Sequence, residues 1–181
     1  PELDVKAMTR KLLRVGASLG VDIAMQKESL YRRAKRLVVM DMDSTLIQIE
    51  VIDELARLAG VGEQVADITL RAMNGELDFQ GALRERVALL QGLSVDALEE
   101  VYRHIPFTPG AKNLVRILKR LGFRTAVISG GFKFFTDRLK TELGLDYAYA
   151  NDLEIADGKV TGAVKGAVSY THLRAHETKA N

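Results

Sequence analysis

The sequence predicts an open α/β fold: a Rossmann-like, mainly parallel sheet with a helical segment inserted after its first strand. Three observations carry this reading. Residues 37–40 (LVVM) are a short unbroken apolar run, the pattern of a parallel strand buried on both faces. Residues 123–128 (FRTAVI) read as a second core strand, and between the two, from Glu50 to about Tyr102, the pattern is helical almost throughout. Beyond the second run, strand-like and helix-like stretches alternate, as in doubly wound sheets.

Each element has its own local signal. Residues 3–20 place Leu3, Ala7, Leu12, Leu13 and Val15 at helical spacing, with Gly16 or Gly20 as the stop. Val21, Ile23 and Ala24 suggest a short edge strand, and residues 28–36 a basic helix. In the helical stretch, Gly60 ends the first helix, Gly75 and Gly92 punctuate the next two, and Ser94 begins another. Thr108-Pro109-Gly110 opens a helix to about Leu121, with Thr108 as N-cap and Pro109 in the first turn. A helix over 131–143 ends at Gly144, residues 146–150 suggest a third strand, and Asp157-Gly158 reads as a hairpin turn.

Bulk properties narrow the function classes. The 181 residues are 47% hydrophobic and 28% charged, with no cysteine, which excludes a disulfide framework and a thiolate metal site and fits a reducing cytoplasm. No apolar run approaches the roughly 20 residues that span a bilayer. The formal charge of +2 is uneven: residues 1–40 hold nine basic and four acidic side chains, largely through Arg32, Arg33, Lys35 and Arg36. That cluster is short and has no interleaved aromatics, so a solvated helix end is expected rather than a nucleic-acid surface.

The strongest chemical signal is Asp41-Met42-Asp43-Ser44-Thr45, directly after the first apolar strand. Ligand sites of open α/β sheets form at the carboxyl ends of strands. Two carboxylates there, one residue apart, suit two jobs. One attacks an electrophile while binding a cation, and the other protonates a leaving alkoxide and later activates water. Magnesium would keep both ionised and bind phosphate oxygens. Turn residues or helix caps are the alternative for Asp41 and Asp43. The segment Val127-Ile128-Ser129-Gly130-Gly131-Phe132 repeats the arrangement at a second strand end, where glycines let an anion approach free amides. No GxSxG elbow and no Walker A loop occur.

The DMDSTL string and SGG resemble the first and second motifs of the haloacid dehalogenase superfamily. Across residues 37–166, DMDSTLIQIEVIDELARLAG, ITLRAMNGELDFQGALRERVALLQGL and VISGGFKFFTDRLKTELGLDYAYANDLEIADGKVTG resemble its phosphoserine phosphatase family. The resemblance implies a cytoplasmic, magnesium-dependent phosphoric monoester hydrolase of serine biosynthesis. Asp41 is then the nucleophile and Asp43 the general acid/base, with Mg2+ held by Asp41 and the Asp43 backbone carbonyl. Ser129 and the Gly130 amide hold the phosphoryl group, Glu50 meets the substrate ammonium, Arg86 its carboxylate, and Met73 and Phe79 cover it. A zwitterionic phosphomonoester needs one such anion and one rigid cationic fork. Bland alternatives stand beside these: Glu50 as a helix-start acid, Arg86 as a surface arginine like Arg84, Met73 and Phe79 as plain core.

The expected partner is a small molecule, phosphoserine, with no nucleic acid and no membrane, and a homodimer is allowed for the intact protein. A related phosphatase on another small phosphomonoester is the nearest rival; a non-catalytic amino-acid-sensing module is the rival from another class. The implied organisation is a remnant of an ACT-like regulatory domain (1–25), a catalytic core (26–49 and 104–168) and a helical cap (50–103). The superfamily's third-motif lysine and GDGAND-like fourth motif do not occur; Lys165 and Lys179 are not at the third-motif position. The C-terminal part of the core is therefore expected to be missing, one sheet edge and one apolar face exposed, and this chain itself inactive. Residues 169–181, with His172 and His176, resemble a translated sequencing adapter and are expected to be non-native.

Overall fold

The computed structural model describes residues 4–25 and 36–165, which belong to two separate units. The first is one helix, α1 (Val5–Leu19). Asp4 caps it by accepting from the Ala7 N–H at 3.0 Å, and Gly20 closes it in the left-handed conformation. Residues 21–25 form no strand, contrary to expectation. A strand exists only through a partner, and the Val21 N–H instead bonds back to the Gly16 carbonyl at 3.0 Å. The expected basic helix over 28–36 lies outside the described residues apart from Arg36, and so does the segment 169–181.

The second unit carries the α/β fold. In chain order it comprises β1 (Leu37–Met40), α2 (Val51–Leu58), α3 (Gly62–Met73), α4 (Phe79–Ala88), α5 (Val95–Arg103), α6 (Ala111–Arg120), β2 (Arg124–Phe132), α7 (Lys133–Leu143), β3 (Tyr147–Ala156) and β4 (Lys159–Lys165). The sheet order is β1-β2-β3-β4; β1, β2 and β3 run parallel and β4 returns antiparallel. The helical insert α2–α5 follows β1, as the sequence predicts. Glycines at 60, 75 and 92, all at positive φ, separate its helices, and Ser94 caps α5 by accepting from the Ala97 N–H at 3.2 Å.

Three details differ from expectation. Helix α6 starts after Gly110, not at Pro109: Thr108-Pro109-Gly110 is a turn closed by the Ala111 N–H on the Thr108 carbonyl, and the threonine side chain is no cap. Strand β2 runs through Ser129, Gly130 and Gly131 to Phe132, so α7 begins two residues later than predicted. Third, β1 is not buried on both faces. It is the edge strand of the described sheet, and Leu37 and Val39 are 53% and 46% exposed. Leu114 and Ile117 of α6, and Leu121 just after it, are exposed as well. Among the described residues the expected open edge and bare apolar face are therefore both present.

One contiguous core joins insert and sheet. It includes Leu46, Val51, Leu55, Val87, Leu90 and Leu98 from the insert side with Val127, Phe132, Phe135, Leu139 and Val160 from the sheet side. Burying each such side chain contributes about 1.5–3 kcal/mol. Polar ties reinforce the joint: the Tyr102 hydroxyl donates to Glu142 at 2.7 Å, Lys112 donates to the same carboxylate at 2.6 Å, and Arg138 pairs with Glu99. The segments that enter and leave the insert are bonded to each other, Gln48 N–H to the Pro106 carbonyl and Thr108 N–H to that of Leu46.

The β3–β4 hairpin turns on Asp157 and Gly158, both at positive φ, as the Asp-Gly pair predicts. It is stitched to the insert by main-chain bonds: Gly92 N–H to Val160 O, Val160 N–H to Leu93 O, and Val95 N–H to Gly158 O, at 2.8–2.9 Å. Gly162 lies under this seam at φ +89, where a Cβ would stand 3.2 Å from Gln91 Cβ and 3.4 Å from the Ala88 backbone. Gly162→Ala should destabilise the chain by at least about 1–2 kcal/mol, from the positive φ alone. Urea denaturation measures the loss, and the Gly92 and Val160 amides should lose hydrogen-exchange protection first.

Candidate active site

The site is built where β1 and β2 end side by side, since Met40 pairs with Val127. After β1 the chain turns sharply through Met42–Leu46, a loop closed by the Ile47 N–H on the Met42 carbonyl at 3.1 Å. Ser44 takes a left-handed conformation there, φ 52. Met42 and Leu46 point into the core, so the intervening residues face outward. Asp41, Asp43, Ser44, Thr45, Glu50, Phe79, Arg86, Gly130 and Gly131 then line one cleft of about 350 Å³.

Asp43 sits at the centre. One carboxylate oxygen accepts from the Val51 N–H, the first amide of α2, at 2.9 Å; the other accepts from the Ser129 hydroxyl at 3.2 Å. The cap alternative is thus realised: Asp43 caps α2 from eight residues upstream. Burial pushes the Asp43 carboxyl up to about 6. The Val51 amide opposes that shift, and the nearby charges of Glu50 and Asp41 add to it. Asp41 is also raised by burial, against the bond it accepts from the Met42 N–H at 2.6 Å. Both carboxylates are thereby biased toward accepting a proton or a cation.

Glu50 occupies the N-cap position of α2 but makes no capping bond with its side chain. Its carboxylate instead accepts from the Ser44 hydroxyl at 2.7 Å, inside the cleft. Arg86 lines the cleft while Arg84 is exposed. Burial weakens the charged form of Arg86, and the carboxylates of Asp53 and Glu50 oppose that effect. The Phe79 ring lies over Gly130, where an added Cβ would come within 2.7 Å of Cζ. Gly131 is as confined: its Cβ would meet Asp43 Oδ2 at 3.0 Å and Ser129 Oγ at 3.1 Å.

Two candidates do not line the cleft: Ser129 is fully buried behind it and touches it through its bond to Asp43, and Met73 is the other. The last residue of α3, it is 80% exposed and does not line the cleft, so the structure does not bring it over the other candidates. It precedes the α3–α4 loop, and no neighbouring element covers it. Sequence reasoning missed Ser44 as the partner of Glu50, and Asn151, whose side-chain amide donates to the Gly130 carbonyl at 2.9 Å. An asparagine inside an apolar strand segment was the available signal for the second. Among the described residues no three His, Asp or Glu side chains are placed to hold a metal ion by themselves, and no helix is long and apolar enough to cross a membrane.

The profile of the haloacid dehalogenase-like hydrolases matches residues 35–168, spanning both strand ends and the insert between them. The chain belongs to this family. A phosphoserine phosphatase of Archaeoglobus fulgidus is 55% identical over 165 residues, which is 91% of this chain and 48% of the relative. Among solved structures, a phospho-aspartyl intermediate analogue of phosphoserine phosphatase superposes with a TM-score of 0.68 at 48% identity, covering 73% of this chain and 63% of the other. A substrate-bound phosphoserine phosphatase gives the same TM-score at 45% identity, covering 78% and 64%. The chain spans about half the length of the curated relatives it matches.

The electrostatics of Asp43 set a sign for pH dependence. Its folded value, about 6, lies above its ordinary 3.8, so the native state binds this proton more tightly than the unfolded chain. Its contribution to stability is full below about pH 4, falls as pH rises to about 6, and is flat above. In metal-free buffer the decline should amount to roughly 2–3 kcal/mol. Urea denaturation between pH 4 and 7.5 should show that decline largely removed in Asp43→Asn, whose amide oxygen still accepts from Val51.

Proposed function

We propose that the protein carrying this chain hydrolyses O-phospho-L-serine to L-serine and phosphate through an aspartyl-phosphate on Asp41. The observation that carries the reading is the convergence in one cleft of a carboxylate pair with an acid–base group held near pH 6, and of Glu50 with Arg86 facing the same space. The first pair suits phosphoryl transfer, and the second suits an amino-acid end group. The names of the relatives and of the superposing structures support the same substrate.

Asp41 attacks phosphorus in line, forming the Asp41–phosphorus bond as the bond to the serine oxygen breaks. Asp43, which burial raises to about 6 so that a protonated fraction persists near neutral pH, gives its proton to that leaving oxygen. As a carboxylate it then removes a proton from the water that attacks the aspartyl-phosphate, and free Asp41 and phosphate result. The Ser129 hydroxyl and the Gly130 amide bind phosphoryl oxygens. Glu50, oriented by Ser44, receives the substrate ammonium, and Arg86 its carboxylate by a two-pronged contact. Phe79 lies over Gly130 and limits water at the reacting centre.

The family's metal dependence fits the residues present. Asp41 with the Asp43 backbone carbonyl offers hard oxygen donors, and two burial-raised carboxyls in one cleft favour a compensating cation. Mg2+ is the ion proposed, and when bound it neutralises charge on the phosphoryl oxygens.

Phosphate release from phosphoserine by the full-length protein tests the reading. Asp41→Asn should abolish it, and Asp43→Asn should lower kcat roughly 10²–10⁴-fold. Arg86→Lys should raise KM for phosphoserine roughly 10–100-fold, while a phosphomonoester without a carboxylate is affected little. No release by the wild-type protein, or equal effects of Arg86→Lys on both substrates, would refute phosphoserine as the substrate.

A further inference from the structure

Strand β2 does not pair evenly with β3. Ile128 stands opposite Tyr149, but Phe132 stands opposite Asn151, so three residues of β2 oppose a single residue of β3. Ser129, Gly130 and Gly131 face Ala150 alone, two residues in excess, and form a bulge at the cleft. Bulges re-aim side chains but remove backbone groups from the ladder, and these then need other partners.

Asn151 supplies one. It is 3% exposed, and its side-chain amide donates to the Gly130 carbonyl at 2.9 Å. The carbonyl of Gly130 and the N–H of Gly131 belong to one planar trans peptide and point in opposite directions. Holding the oxygen on the Asn151 side therefore holds the N–H on the other, where it donates to Ser129 Oγ at 2.8 Å. With its oxygen accepting from that amide, the Ser129 hydroxyl directs its own proton to Asp43 Oδ2 at 3.2 Å. A partly buried chain of three hydrogen bonds thus runs from Asn151 through one peptide and one hydroxyl to the central carboxylate. Bonds linked in this way polarise one another.

We propose that Asn151 is a positioning residue: by fixing the Gly130–Gly131 peptide it keeps the buried Ser129 hydroxyl directed at Asp43 Oδ2 as a donor. Its effect on turnover rests on the reading of Ser129 as a phosphoryl contact; its effect on the bulge does not. Glycine at 131 is part of the device, because a Cβ there would stand 3.1 Å from Ser129 Oγ and 3.0 Å from Asp43 Oδ2 and crowd both.

Amide hydrogen exchange, followed by NMR on the 15N-labelled 181-residue chain in metal-free buffer, tests this without substrate. Asn151→Leu keeps the side-chain bulk and removes the donor. The Gly131 amide should exchange at least about tenfold faster, while Ala126 and Val127 in the β1–β2 ladder stay within about twofold. Asn151→Asp, of the same shape and read at pH 8, gives a second variant should leucine fail to fold. Unchanged Gly131 protection in a folded variant overturns the proposal, and so does protection lost evenly along β2 and β3, which marks a purely structural residue. In the full-length protein, Asn151→Leu should lower kcat for phosphoserine about tenfold with KM within twofold. A wild-type kcat would overturn the positioning role. If the wild-type protein releases no phosphate, the substrate reading fails while the exchange pattern still decides this one.

Discussion

The Asp43 carboxylate is the constraint on which the arrangement depends. It follows β1, caps the first amide of α2, and accepts from Ser129 near the end of β2. Three elements distant in sequence are therefore registered on two oxygens. A buried carboxylate is costly unless its lone pairs are satisfied. Here each oxygen has a protein donor, yet burial still dominates and holds the group near 6. Burial leaves the carboxyl ready to exchange a proton, against the two hydrogen bonds that organise the site.

Around that point the fold makes the insert part of the core. A helical segment between two strands could hang from its two connections alone. Instead its apolar faces enter the same buried cluster as β2 and α7, and main-chain bonds from the β3–β4 hairpin hold its far side. The face that presents Phe79 and Arg86 is thereby fixed against the strand ends that present Asp41 and Gly130. Close contact favours glycine at 130 and 131, since a Cβ would stand 2.7 Å from Phe79 Cζ at the first and 3.0 Å from Asp43 Oδ2 at the second, and those side chains would have to shift. The SGG string thus reflects steric need as much as affinity for an anion.

Much of this was legible in the sequence because the signals are local. LVVM and the second apolar run marked β1 and β2, glycines at 60, 75 and 92 marked helix ends, and Asp-Gly marked the hairpin. Boundaries resting on longer-range forces were not legible. Thr108 has the chemistry of an N-cap, but Gly110 makes the turn that starts α6. Val21 to Ala24 have strand propensity, but a strand is made by its partner. Met73 looked like cleft material by resemblance and is exposed at the end of α3.

By itself the sequence determined the chemistry available: two carboxylates after an apolar strand, a hydroxyl and two glycines after another, and an acid and an arginine in the helices between. Which of those groups meet was decided only by the tertiary structure. Sequence spacing could not choose Arg86 over Arg84, because helix orientation alone turns one into the cleft and the other to solvent. Nor could it pair Ser44 with Glu50, which needs a left-handed serine and a chain reversal. Asn151 shows the same limit. Its role arises from a bulge in the neighbouring strand, and a bulge is a property of two strands packed together.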